Sequence, residues 1–107
     1  MSADTDVVAL AGSAVTLNCS RDIYHSGTRW HYTNYGHKTP VCVYNGRVIN
    51  ADFRPRYGAR FDSTTSSSLL TISDVRLNDA GTFRCTRLHS SSTITIFSLN
   101  VLGIHVQ

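Results

Sequence analysis

The chain contains no glutamate, one lysine, one tryptophan and two prolines among its 107 residues, and no apolar run approaches membrane-spanning length. The last shortage excludes a membrane-crossing helix built from these residues. No charged-then-apolar leader opens the chain, since Met1 to Asp6 is polar. Any leader, stalk or membrane anchor is expected to lie outside this sequence, and the membrane is a partner only through such segments. The net charge of +3 comes almost entirely from arginine, and the arginines are scattered over loops and strands. A nucleic-acid binder would carry a basic stripe interleaved with aromatic residues, so nucleic acid is excluded as a partner. A segment with Arg47, Arg54 and Arg56 offers a weaker hint of an acidic partner, against the plainer reading of solvated surface arginine. The five histidines, His25, His31, His37, His89 and His105, share no i, i+2 or i, i+4 spacing, and no metal or other cofactor is expected. Catalysis needs a nucleophile and a base held by a third group, and nothing ties the serine clusters to a His and an Asp. No catalytic residue is assigned, and the chain is expected not to be an enzyme.

What the chain does have is strand periodicity. In 12–19, Val15, Leu17 and Cys19 alternate with small or polar neighbours, the pattern of a half-buried strand with Cys19 pointing inward. In 79–85 the same period sets Phe83 and Cys85 on one face and Arg84 and Thr86 on the other. Trp30 lies between the two cysteines in sequence, in the run Thr28 to Tyr32. About nine strands are expected and no helix, at Asp6 to Ala11, Ala14 to Ser20, Thr28 to Thr33, Val41 to Tyr44, Arg47 to Asn50, Ala59 to Ser63, Ser68 to Ser73, Gly81 to Leu88 and Thr93 to Leu102. Asn45-Gly46 reads as a type I′ hairpin turn, because both residues tolerate left-handed geometry. There are no internal repeats, and 1–107 reads as one domain.

Cys19, Trp30 and Cys85, together with Arg60-Phe61-Asp62 and the run from Ser68 to Cys85, resemble the immunoglobulin superfamily and, within it, the variable-type (V-set) domains. The resemblance covers nearly the whole chain. It implies an all-β fold, an immunoglobulin-like β-sandwich of V type with two antiparallel sheets in Greek-key topology. It implies a Cys19–Cys85 disulfide packed under Trp30, which on the chain-entropy model stabilises by roughly 4 kcal/mol. It also implies an oxidising, extracellular setting, at a cell surface or secreted. By the same resemblance Arg60 pairs with Asp79 at the base of the sandwich. Phe83 stands where the family has a corner tyrosine, so the ring fills the core and the hydroxyl bond is lost.

Departures from the family are equally informative. The Phe-Gly-x-Gly bulge of rearranged antigen receptors is replaced by Thr93-Ile94-Thr95-Ile96, so the last strand is expected to run straighter. The arginine that the superfamily's sialic-acid-binding lectins place just after the second cysteine is Thr86 here, and sialic-acid binding is not carried over.

The V-set resemblance implies binding through the sheet of strands G, F, C, C′ and C″. Parity from Trp30 and Cys85 puts His31, Thr33, Tyr35, Arg84 and Thr86 on that face. Val41, Val43, Tyr44, Arg47, Arg87 and His89 are expected beside them, a Tyr, Arg and His mixture suited to an interface. Cys42 has no fourth cysteine to pair with and is expected as a free buried thiol, with an intermolecular disulfide as the alternative. Asn18-Cys19-Ser20 is formally a glycosylation sequon whose middle residue is committed to the core. The expected function is an immune-recognition or adhesion domain that binds a protein ligand, or a second copy of itself, through the sheet face and the loops around Ser26, Arg54 and His89. The alternative is a soluble V-type lectin, which would show exposed Trp and Tyr, whereas Trp30 reads as core.

Overall fold

The structure, a computed structural model, describes residues 3–20, 27–36, 39–89 and 92–103. Among them eight strands form two sheets. One sheet has five strands in the order β1 (Ala3–Leu10), β8 (Thr93–Leu102), β7 (Gly81–Arg87), β3 (Thr28–Thr33) and β4 (Val41–Tyr44). The other has three, β2 (Val15–Cys19), β6 (Ser67–Ile72) and β5 (Tyr57–Asp62). Two single 3₁₀ turns, Ala51–Phe53 and Leu77–Asp79, complete the described elements. β1 runs parallel to β8, and every other ladder is antiparallel.

The inward residues of both sheets meet in one core. Leu17, Cys19, Leu70, Ile72, Trp30, Phe83, Cys85 and Leu99 are all buried. The period-2 patterning in the sequence therefore translates directly into burial, because each apolar residue on a strand shares a face with those two positions away. Cys19 and Cys85 are joined across the sheets. Trp30 packs on Phe97 with ring centroids 5.6 Å apart. Its indole N–H donates to the Ser68 hydroxyl at 3.3 Å, and that hydroxyl also bonds Thr28. The polar tip of a fully buried indole thus has a partner, which a buried donor requires.

Four expectations are corrected. No strand forms over Arg47 to Asn50. The chain after β4 makes one isolated bridge, Tyr44 to Ile49, and then enters the Ala51–Phe53 turn, where the Asn50 side chain accepts from the Asp52 N–H at 3.0 Å. Asn45 does not build a type I′ turn: its side-chain oxygen accepts from the N–H groups of Arg47 and Val48, and only Gly46 takes positive φ, +100°. A side chain that bonds the backbone two residues on competes with the left-handed turn. The last strand is not straight either. Cys85 faces Thr95 but Thr86 faces Thr93, so Ile94 is an extra residue, a bulge formed without glycine. Finally, Arg60 faces Leu69 and is exposed, and Asp79 is paired with Arg56. Arg60 lies within β5, where its side chain points away from the core, whereas Arg56 precedes the strand and lies at the base of the sandwich.

That base is a compact polar cluster. The carboxylate of Asp79, 5% exposed, accepts two bonds from the Arg56 guanidinium, one from the Tyr57 hydroxyl at 2.6 Å and one from the Arg76 N–H at 2.8 Å. Burial alone would raise the Asp79 pKa, but the bonds from Arg56, Tyr57 and Arg76 outweigh it and hold the carboxyl below its ordinary value. Phe83 fills the core and carries no hydroxyl, and the corner bond reappears from a different strand. The Tyr32 hydroxyl donates to the Ala80 carbonyl at 2.5 Å, with the Asn78 carbonyl at 3.2 Å.

Candidate functional site

The outer face of the five-stranded sheet is set by register. β3 turns Arg29, His31 and Thr33 outward, opposite Thr86, Arg84 and Thr82 of β7. Arg84 in turn faces Ile96 of β8, and His31 faces Cys42 of β4. One row therefore crosses four strands as Ile96, Arg84, His31 and Cys42. Beyond the end of β3, Tyr35 is 58% exposed, and its hydroxyl is 2.8 Å from that of Ser98 on β8. This bond lays the Tyr35 side chain along the face and holds it there.

Electrostatics on this row favour a neutral imidazole. Partial burial lowers the His31 pKa first, and the guanidinium charges of Arg29 and Arg84 lower it further. Arg29 and Arg84 are both exposed. Neither forms an ion pair among the described residues, where the pairs are Arg56–Asp79 and Arg76–Asp74.

The sequence-derived face is thus only partly assembled. His31, Thr33, Tyr35 and Arg84 come together on it. Val43 does not: it is fully buried, because Cys42 faces outward His31 and the alternation along β4 therefore turns Val43 into the core. Thr86 is outward by parity yet only 7% exposed, a short side chain in the middle of the sheet between Arg29 and Thr93. Tyr44 is half-buried and packs against the core. Arg47 is exposed in the turn after β4, Arg87 is half-buried at the end of β7, and His89 is exposed in the turn that follows. Of the loops expected to take part, Ser26 lies outside the described residues, as do His25, His37 and His105.

Cys42 is a free, half-buried thiol, not a fully buried one. It lines an open depression of about 230 Å³ with Asn45, Val48 and Asn50. Arg29 escaped the sequence-derived set although it stands two residues before His31 and so shares its face. The same parity rule that selected His31 could have found it. Among the described residues no group of three or more His, Cys, Asp or Glu side chains could hold a metal ion, and no helix is long and apolar enough to cross a membrane.

The family described as "Immunoglobulin V-set domain" matches residues 3–102. Among curated relatives, the sequence is similar to the T-cell receptor alpha chain V region RL-5 of Oryctolagus cuniculus, 26% identical over 103 residues, 94% of this chain and 77% of the relative. It is also similar to the Ig kappa chain V region K-25 of Oryctolagus cuniculus, 30% identical over 89 residues, 81% of this chain and 80% of the relative.

Proposed function

The chain belongs to the immunoglobulin V-set family, and from that premise we propose that it is an extracellular immune-recognition domain whose partner is a protein bound on the outer face of β8, β7, β3 and β4. Its relatedness to T-cell receptor and antibody variable regions supports recognition as the role, and the inter-sheet disulfide suits an oxidising compartment.

The observation that carries the choice of face is the contrast between the two sheets. The outer side of β3 and β7 presents Arg29, His31 and Arg84, with Tyr35 bonded across to Ser98. These are long side chains that combine buried area with directional polar bonding. On the other sheet the outward positions Thr16, Asn18, Gly58, Asp62, Ser67 and Thr71 are small or polar, with Arg60 and the largely covered Leu69 beside it as the exceptions. A carbohydrate reading lacks its main support, since Trp30 is sealed in the core.

The test is cell staining with fluorescent tetramers of the chain. Staining should be removed by protease treatment of the cells, lost with Tyr35→Ala or His31→Ala, and retained with Arg60→Ala. Staining that survives protease but is removed by glycosidases, or that depends on Arg60 and not on Tyr35 or His31, would overturn this reading.

A further inference from the structure

The charge on this face restricts the kind of protein it can meet, an inference that rests on the face being the binding surface. Arg29 and Arg84 stand on adjacent strands either side of His31, because Arg84 is the cross-strand partner of His31 and Arg29 shares its face two residues away. Both guanidiniums are exposed and neither has an acidic partner among the described residues. With no glutamate in the chain, any internal neutralisation must come from aspartate. The aspartates of this sheet, Asp4 and Asp6, belong to β1, which is separated from β7 by the whole of β8. At a strand spacing of about 4.8 Å that places their strand about 10 Å from β7, roughly one Debye length at moderate salt. Among the described residues the centre of the face is therefore cationic with no acid paired to its arginines, and the aspartate-bearing strand of this sheet lies at one edge.

We propose that the Arg29, His31 and Arg84 strip receives a carboxylate-rich patch on a different protein, and that it works against pairing with a second copy. A two-fold axis through the middle of the face would bring the arginines of one copy against those of the other, a like-charge contact that discriminates against self-association. A partner with two or more carboxylates at matching spacing instead gains charge-assisted, bidentate bonds to arginine. His31 supplies a neutral imidazole between them, able to donate or accept a hydrogen bond.

The experiment is an NMR titration of the isotope-labelled chain with a poly-glutamate peptide, with a poly-lysine peptide as control and light scattering on the same samples. Amide shifts should be confined to the segments around Arg29, His31 and Arg84, weaken as salt rises from about 0.05 to about 0.5 M, and be absent with poly-lysine. Affinity should fall about tenfold in the Arg29→Gln/Arg84→Gln variant, whose unchanged amide spectrum elsewhere shows that it is folded. The mass should remain that of a monomer. Shifts centred on Arg54 and Arg76 at the base, an affinity unchanged in the double variant, or a dimer at low salt would overturn the inference. Cell staining separates the two levels. Staining that needs Tyr35 and His31 but survives the double glutamine variant removes the acidic partner and leaves the binding face, whereas staining indifferent to all four residues removes both.

Discussion

Arg56 grips Asp79 with two parallel hydrogen bonds, 2.7 Å from Nη1 to Oδ2 and 3.0 Å from Nη2 to Oδ1. The pair fastens the segment before β5 to the turn before β7, and Tyr57 adds a third bond to the same carboxylate. Removing the guanidinium leaves a nearly buried charge with fewer partners. Arg56→Gln should therefore destabilise by about 2 to 3 kcal/mol, below the full value for a buried pair because Arg56 is partly open to solvent. Arg60→Gln should cost less than about 0.5 kcal/mol, as an exposed strand position without an ion pair among the described residues. Urea unfolding of the two variants side by side measures the difference.

The same cluster sets an acid limb. The folded-state pKa of Asp79 lies below its unfolded value, so its contribution to stability is fully present above about pH 4 and is lost as pH falls through the folded pKa. Thermal unfolding across that window should show the gap between wild type and Arg56→Gln closing as the pH drops. A gap that stays constant down to the lowest pH would show that Asp79 is not held ionised by Arg56.

Tyr32 supplies the hydroxyl that ties β3 to the turn before β7. Tyr32→Phe keeps the ring that packs on Phe83, at a centroid distance of 4.8 Å, and removes only the hydrogen bonds. The expected loss is about 1 to 2 kcal/mol, read from the unfolding midpoint with an unchanged slope.

The residues that define the sandwich are legible because burial follows strand parity: Cys19, Phe83 and Cys85 can be placed from alternation alone, and family resemblance adds Trp30 and the disulfide. The errors fall where parity is interrupted or has no anchor. Ile94 is an extra residue at a register shift, and a bulge formed without glycine leaves no mark in composition, whereas Val43 turns inward by alternation from Cys42, which only the pairing of β4 with β3 fixes. Arg56 and Arg60 are chemically equivalent in sequence, and only the point where β5 begins decides which one reaches Asp79. Tyr32 falls in a strand run by sequence, but its bond to Ala80 depends on how two distant segments meet. Arg29 was within reach of the parity rule and shows that the cationic strip was written in the chain.

Cys42 is half-buried beside an open depression, whereas Cys19 and Cys85 are disulfide-bonded in the core. A thiol reagent applied to the folded chain should label one cysteine only, at Cys42, and Cys42→Ser should abolish labelling with little change in melting temperature. Labelling that appears only after unfolding would place the thiol in the core instead.

His31 reports the field of the proposed binding strip. Its pKa is lowered by partial burial and by Arg29 and Arg84, so the folded protein binds a proton there less readily than the unfolded chain, whose imidazole titrates near pH 6.5. Stability linked to this group therefore shrinks as pH falls from about 6.5 to the folded pKa and is unaffected above it. An NMR titration of the imidazole should give a midpoint below the ordinary histidine value. Replacing Arg84 with Gln should move that midpoint upward, and removing Arg29 as well should move it further, while burial keeps it from returning fully. A carboxylate docked on the strip acts in the opposite sense to the arginines. Adding poly-glutamate should therefore also raise the midpoint in the wild type, and should raise it less in the double glutamine variant. A midpoint that ignores both substitutions would mean that the guanidiniums point away from the imidazole and that the strip is not a single electrostatic unit.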